Sequence, residues 1–164
     1  ALVDQLQPRV TIPMHYRGAG FGYDVIAGFR QMAEPSGYSV RVVDMSKEMQ
    51  RSVSYDTFML QEGYLGALIL GATLNDPWMK EFPTSRTPAV LYDNLILGNP
   101  TISTLGVDNN EAIGQAVNAL CGMGHQKIGY LSGALGSHIT QVRYKSFFHE
   151  IRRRKLPSGV SMAG

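Results

Sequence analysis

The sequence predicts an α/β chain of βαβ layers around a mainly parallel sheet. Three observations carry that prediction. Short β-branched or aliphatic runs alternate with longer stretches whose apolar residues recur at helical spacing. One run, Gly66-Ala67-Leu68-Ile69-Leu70-Gly71, is nearly pure aliphatic, which suits a parallel strand covered on both faces. The length of 164 residues and a hydrophobic share of 44% supply a real core, and 17% charged residues is too few for a disordered tail.

The elements follow in order. Val10-Thr11-Ile12-Pro13-Met14-His15-Tyr16 is the first strand, although Pro13 lacks an N–H and fits poorly in a central position. A helix over 23–33 carries Val25, Ile26, Phe29 and Met32 on one stripe, and Pro35, Ser36 and Gly37 end it. Tyr38 to Asp44 is the second strand. A helix over 50–62 carries Val53, Phe58, Met59 and Leu60 and stops at Gly63. The aliphatic run is the third strand. Asp76-Pro77 opens a short helix through Trp78, Met79 and Phe82, with an acceptor at the cap and proline at the first helical position.

Pro88 to Asp93 is the fourth strand, and a polar crossing over 94–100 leads to a strand over 103–108. Asn110 to Gly122 is a helix with Ile113, Ala116, Val117 and Leu120 aligned. Lys127 to Gly133 is a buried strand. Thr140 to Arg154 is a last amphipathic helix, its basic end placed where the helix dipole favours cations. Residues 158–164 read as a tail. Two strands do not make a stable doubly covered sheet alone, so the second half is expected to be partial or completed by another copy.

Composition excludes several chemistries. A single cysteine, Cys121, rules out an internal disulfide framework and a cysteine-built zinc site, and reads as a small buried hydrophobe. His15, His125, His138 and His149 are scattered, with no His-x-x-x-His pair, so no metal is expected. Ser132 and Ser137 lie near His138, but the strained Gly-x-Ser-x-Gly turn of a hydrolase is missing, so no catalytic residues are assigned and the chain is read as no enzyme. Gly18-Ala19-Gly20-Phe21-Gly22 follows a strand and precedes a helix, and Asp44 could hold a ribose. That loop lacks the third glycine of the dinucleotide fingerprint, which leaves a nucleotide-dependent enzyme as a lesser alternative, and no cofactor is expected. A net charge of +2 is too small to imply a nucleic-acid partner by electrostatics alone. No apolar run reaches membrane-spanning length and no signal peptide is visible, so the expectation is a cytoplasmic chain with no membrane partner.

Ligands of open α/β sheets lie off the carboxyl ends of the strands. That rule selects His15 and Tyr16, Gly71 and Ala72, Asp93, and the loop 133–139. Asp93 could accept two hydroxyl hydrogen bonds from a sugar-like ligand; the competing reading is a turn aspartate. His125 sits between a helix end and a strand, where a structural role outweighs a pH-active one.

The second half carries a more specific signal. Gly106-Val107-Asp108-Asn109, then Gly124-His125-Gln126-Lys127-Ile128-Gly129-Tyr130-Leu131-Ser132-Gly133, then Arg143 with Phe147 four residues on, resembles the effector-binding core of lactose-repressor (LacI/GalR) family transcription regulators. The resemblance covers residues 9 to 157. It implies a periplasmic-binding-protein-like fold, with a complete first subdomain over 9–98 and a crossover with a partial second subdomain over 99–164. It also implies that the DNA-binding headpiece is absent from this chain. Two departures, Ala19-Gly20-Phe21-Gly22 for the family's Asn-Pro-Phe-Phe and Ser146-Phe147 for its Gly-Phe, bear on ligand identity.

By resemblance, Arg143 is a principal effector contact, its planar fork suited to a hydroxyl or carboxylate pair. Phe21 occupies a position where the family places an aromatic ring against the ligand. Ser137 and Ile139 flank the ligand from the loop before Arg143. Arg143 and Phe21 have plainer alternatives, namely a solvated surface arginine and ordinary core packing. The implied function is sensing of a small sugar-like or nucleoside-like effector between subdomains to control DNA binding. The implied partners are that effector, a homodimer mate, and operator DNA reached only through the missing headpiece. A periplasmic-type sugar-binding protein is the nearest alternative, since it shares the layered fold.

Overall fold

In this computed structural model the described residues are 9–14, 21–133 and 136–162, with side chains described over 25–133 and 136–157. The chain divides into two compact units, Ala1–Leu105 and Gly106–Gly164. His15 and Tyr16 lie outside the described residues.

The first unit holds a five-stranded, wholly parallel sheet in the order β2-β1-β3-β4-β5. Its strands are β1 (Arg9–Met14), β2 (Ser39–Asp44), β3 (Tyr64–Ile69), β4 (Ala89–Tyr92) and β5 (Ile102–Leu105). β1 pairs with β2 along its whole length but with β3 only as far as Thr11↔Ala67. Pro13 therefore falls where the strand has one paired neighbour, which is how a residue without an N–H is tolerated in a central strand. The strand placed over 103–108 is instead 102–105, and its pairing with β4 adds it to the first sheet.

Both faces of β3 and β4 are covered. Ala67, Ile69, Ala89 and Leu91 face one layer, where Tyr55, Met59, Trp78 and Phe82 pack. Leu68 and Leu70 face the other with Val90 and Tyr92, against Val25, Ile26 and Phe29 of α1 (Phe21–Ala33). The period of two along each strand thus feeds two cores from one aliphatic run.

The helix expected over 50–62 is two helices, α2 (Lys47–Ser52) and α3 (Tyr55–Glu62). Val53 is extended at φ −145°, and Ser54 leaves helical geometry so that its hydroxyl accepts the Thr57 N–H. A serine that can cap competes with helix continuation. Gly63 does end α3, in the left-handed region at φ +68°.

The helix expected from Asp76 is two 3₁₀ turns, Pro77–Lys80 and Phe82–Thr84. Asp76 makes no cap bond; its carboxylate instead accepts the N–H and hydroxyl of Thr73 and lies 3.4 Å from the Lys47 ammonium. Pro83 disfavours helical geometry at the residue before it, which helps limit these turns. Their apolar side chains are spent on the core: Trp78 and Phe82 are each 1% exposed. Trp78 donates from its indole to the Val53 carbonyl at 2.8 Å and meets Tyr55 edge-on.

The second unit packs α4 (Asn109–Gly122) against α5 (His138–Arg153) beside two parallel strands, β6 (Ile128–Ser132) and β7 (Ser158–Met162). β7 lies in the segment read as a tail. Its register, Ile128↔Ser158 to Ser132↔Met162, is a tertiary pairing that the short mixed run Ser-Gly-Val-Ser-Met does not advertise. Val117, Ile128, Phe147 and Ile151 form the core, with Cys121 half-buried at its margin. β6 is not buried on both faces as expected, since Leu131 is 72% exposed.

Gly124, at φ +86°, closes α4. The His125 N–H donates to the Leu120 carbonyl and the Gly124 N–H to that of Cys121, which is a Schellman ending. The Gly-His pair thus earns its place through backbone geometry, and the His125 side chain is exposed.

Candidate functional site

Each unit presents its own group of polar residues at the places the sequence selects. In the first unit, the carboxyl ends of β2, β3 and β4 place Asp44, Gly71, Ala72, Asp93 and Asn94 along one edge of the sheet. Asp93 is half-buried and holds a left-handed backbone at φ +59°, while its N–H donates to the Leu105 carbonyl at 2.7 Å. Aspartate tolerates that region better than most residues, yet such a conformation still costs about 1 kcal/mol, so the neighbouring strands must enforce it.

Asn94 was not singled out by the sequence reading. It is 8% exposed, and its amide nitrogen donates to the Ala72 carbonyl at 2.8 Å, tying the end of β4 to the end of β3. Among the described residues its side-chain oxygen is buried and has no hydrogen-bond partner. The sequence signal was an asparagine directly after the strand-end aspartate, and nothing in it distinguishes a buried amide from a turn residue.

Below these ends, Gln50 and Asp76 are almost wholly buried beside Met45, Ile69, Leu70, Trp78, Met79 and Phe82, which together line a small recess. Asp76 is held by Thr73, and the Gln50 carbonyl accepts the Trp78 N–H at 3.3 Å. The polar groups here brace the recess.

In the second unit, Ser137 is half-buried at the N-cap of α5 with no side-chain cap bond. Ile139 is 9% exposed, so core packing takes most of its surface. Arg143 is exposed, and its Nε donates to the Asn109 side-chain oxygen at 2.6 Å. Asn109 and Asn110 follow Asp108, whose carboxylate caps α4 by accepting the Asn110 and Glu111 N–H groups. Ser146 is hydrogen-bonded to the Asn110 side chain and donates to the Val142 carbonyl at 2.8 Å. The Val-Asp-Asn run and Arg143 therefore belong to one assembly that joins α4 to α5. The side chain of Phe21, the first residue of α1, is not described. The nucleotide alternative rests on the loop before it, which is likewise outside the described residues, and on Asp44, which is exposed at the end of β2. Among the described residues no cluster of histidine, cysteine and carboxylates could hold a metal ion. No described helix is long and apolar enough to cross a membrane.

The parallel sheet of order 2-1-3-4-5 and the α/β unit that follows it make a fold shared with solved LacI-family and periplasmic-binding-protein-like structures. A LacI-family regulatory protein from Chloroflexus aggregans superposes with TM-score 0.78 over 95% of this chain and 58% of that one, at 16% identity. A periplasmic binding protein/LacI transcriptional regulator from Alkaliphilus metalliredigens QYMF, complexed with D-xylulofuranose, gives TM-score 0.72 over 94% of this chain and 56% of that one, at 21% identity.

In sequence, the chain is 25% identical over 134 residues to the HTH-type transcriptional repressor CytR of Escherichia coli K12. That match takes in 81% of this chain and 39% of the repressor, so the chain spans about two fifths of that relative's length. No family model matches the chain. The resemblance to LacI-family regulators read from the Gly124-His125 block and Arg143 is thus repeated in fold and in sequence, and these relatives are named as regulators of transcription.

Proposed function

We propose that this chain is the effector-sensing part of a LacI-type transcription regulator, and that its effector is a small polyhydroxylated molecule, a sugar or a nucleoside. The observation that carries the reading is the arginine fork of Arg143. Its Nε is engaged by Asn109 at 2.6 Å, and its terminal nitrogens belong to an exposed residue at the start of α5. A guanidinium so held suits paired hydroxyl or carboxylate oxygens. The strand-end group of Asp93 and Asn94 supplies acceptors for hydroxyls, and the fold locates ligands at such ends. The D-xylulofuranose complex of the Alkaliphilus protein supports a sugar-like ligand.

In this reading Ser137 and Ile139 border the arginine, and Phe21, His15 and Tyr16 are further contacts. Effector binding shifts a conformational equilibrium of the whole regulator, which controls operator binding, and the regulator acts in the cytoplasm as a homodimer. The test is an NMR titration of the chain with D-xylulose, D-ribose, adenosine and uridine up to millimolar concentration. Shifts at Asp93 and Asn94 that are weakened by Asp93→Ala, and shifts at Arg143 and its neighbours that are weakened by Arg143→Ala, are expected. Binding by both variants equal to that of the parent would refute the assignment.

A further inference from the structure

We propose that Asn109 is a positioning residue that presets the Arg143 guanidinium for ligand. The inference rests on the reading of Arg143 as an effector contact and adds what makes that contact ready before ligand arrives. Asn109 is the first residue of α4 and is 8% exposed. Its amide is fixed from both ends: Nδ2 donates to the Val107 carbonyl at 3.0 Å, and Oδ1 accepts the Arg143 Nε–H at 2.6 Å. The Val107 carbonyl decides which way the amide is turned, so its oxygen is presented to Arg143.

A second tie lies one residue further along α4 and one turn further along α5. Ser146, 7% exposed, is bonded to Asn110 and to the Val142 carbonyl. Asn109 with Arg143 and Asn110 with Ser146 hold the same stretch of α5 against the same end of α4. The Asp108 cap in turn anchors that end through the Asn110 and Glu111 N–H groups.

Arginine has five N–H donors in a rigid plane. One bond to Nε takes the donor a bidentate ligand at the two terminal nitrogens does not need, and it restricts rotation of the plane. An arginine unrestrained in this way would have to be ordered on binding, an entropic cost that lowers affinity. The departure Ser146 for the family's glycine is consistent with a seat built from hydrogen bonds in this chain.

The experiment compares Asn109→Leu, Asn109→Ser, Asn109→Asp and Arg143→Lys in the 164-residue chain, each checked for parent-like far-UV circular dichroism. Without ligand, the Arg143 Nε–H resonance is expected to be protected from exchange in the parent and in Asn109→Asp, which keeps an acceptor. It is expected to exchange freely in Asn109→Leu and in Asn109→Ser, whose oxygen is too short to reach. With D-ribose and adenosine as probes, the Leu and Ser variants should bind about tenfold more weakly, a loss on the scale of ordering one long side chain. Asn109→Asp should stay within about threefold of the parent. Arg143→Lys, which has no Nε, should gain nothing further from Asn109→Leu. If Arg143→Lys weakens binding while Asn109→Leu and Asn109→Ser do not, or if their Nε–H stays protected, the positioning role is overturned and the effector reading stands. If Arg143→Lys binds as the parent does, or neither probe shifts any resonance, the effector reading of Arg143 fails and the positioning role falls with it.

Discussion

Asp56, in the first turn of α3, ties that helix to a loop 29 to 31 residues further along the chain. Its carboxylate accepts the Ser85 hydroxyl at 2.7 Å and the Arg86 and Thr87 N–H groups at 3.0 Å each. Replacing it with alanine removes all three bonds, with unequal consequences. The Arg86 N–H is exposed and turns to water, and the Ser85 hydroxyl keeps the Thr87 carbonyl at 3.3 Å. The part-buried Thr87 N–H is left without its charged acceptor. One lost bond to a charged group gives an expected destabilisation of about 2 kcal/mol at neutral pH. Burial pushes this carboxyl's pKa up, and the bonds from Ser85, Arg86 and Thr87 outweigh it, so the pKa lies below the ordinary value. A depressed pKa means the stabilisation is complete above the unfolded-state value of about 3.9 and is lost as pH falls through the folded value. The assay is urea unfolding followed by fluorescence of Trp78, the sole tryptophan and 1% exposed in the core that α3 completes. The gap between Asp56→Ala and the parent should close on titration from neutral pH to below about pH 3. A gap under about 0.5 kcal/mol at neutral pH, or one unchanged in acid, would refute the reasoning.

Two further outcomes follow from the cores. Tyr55→Phe removes the bond from the phenol to the Pro88 carbonyl at 3.0 Å, but that carbonyl still accepts the Ala67 N–H at 3.1 Å. A modest loss of about 1 kcal/mol is therefore expected in the same urea assay, and a loss above about 3 would show that the remaining bond does not satisfy the carbonyl. Phe147, 3% exposed, stacks on Tyr130 with ring centres 5.0 Å apart. Phe147→Ala should cost about 3–5 kcal/mol, read by thermal melting in far-UV circular dichroism, and an unchanged melting temperature would contradict its place in that core.

What the sequence determined by itself were the features whose physics is local. Short β-branched and aliphatic runs located β1 to β4 of the first sheet. Gly63 ended a helix where a left-handed residue was needed, and the helix expected over 110–122 lies within one residue of α4. The break at Ser54 was also local, yet the apolar spacing of 50–62 masked it, because periodicity reports a buried face and not the continuity of the backbone. The tertiary structure alone decided the rest. β5 joined the first sheet because its partner is β4, and β7 exists because β6 offers it an edge. Asn94 became a buried amide only when the ends of β3 and β4 met. Arg143 was legible as a ligand residue by resemblance, but its bond to Asn109 crosses 34 residues and depends on α5 lying against α4. Hydrogen bonds between side chains far apart in sequence leave no period behind, since they select geometry and not hydrophobicity, so packing had to bring them together before they could be seen.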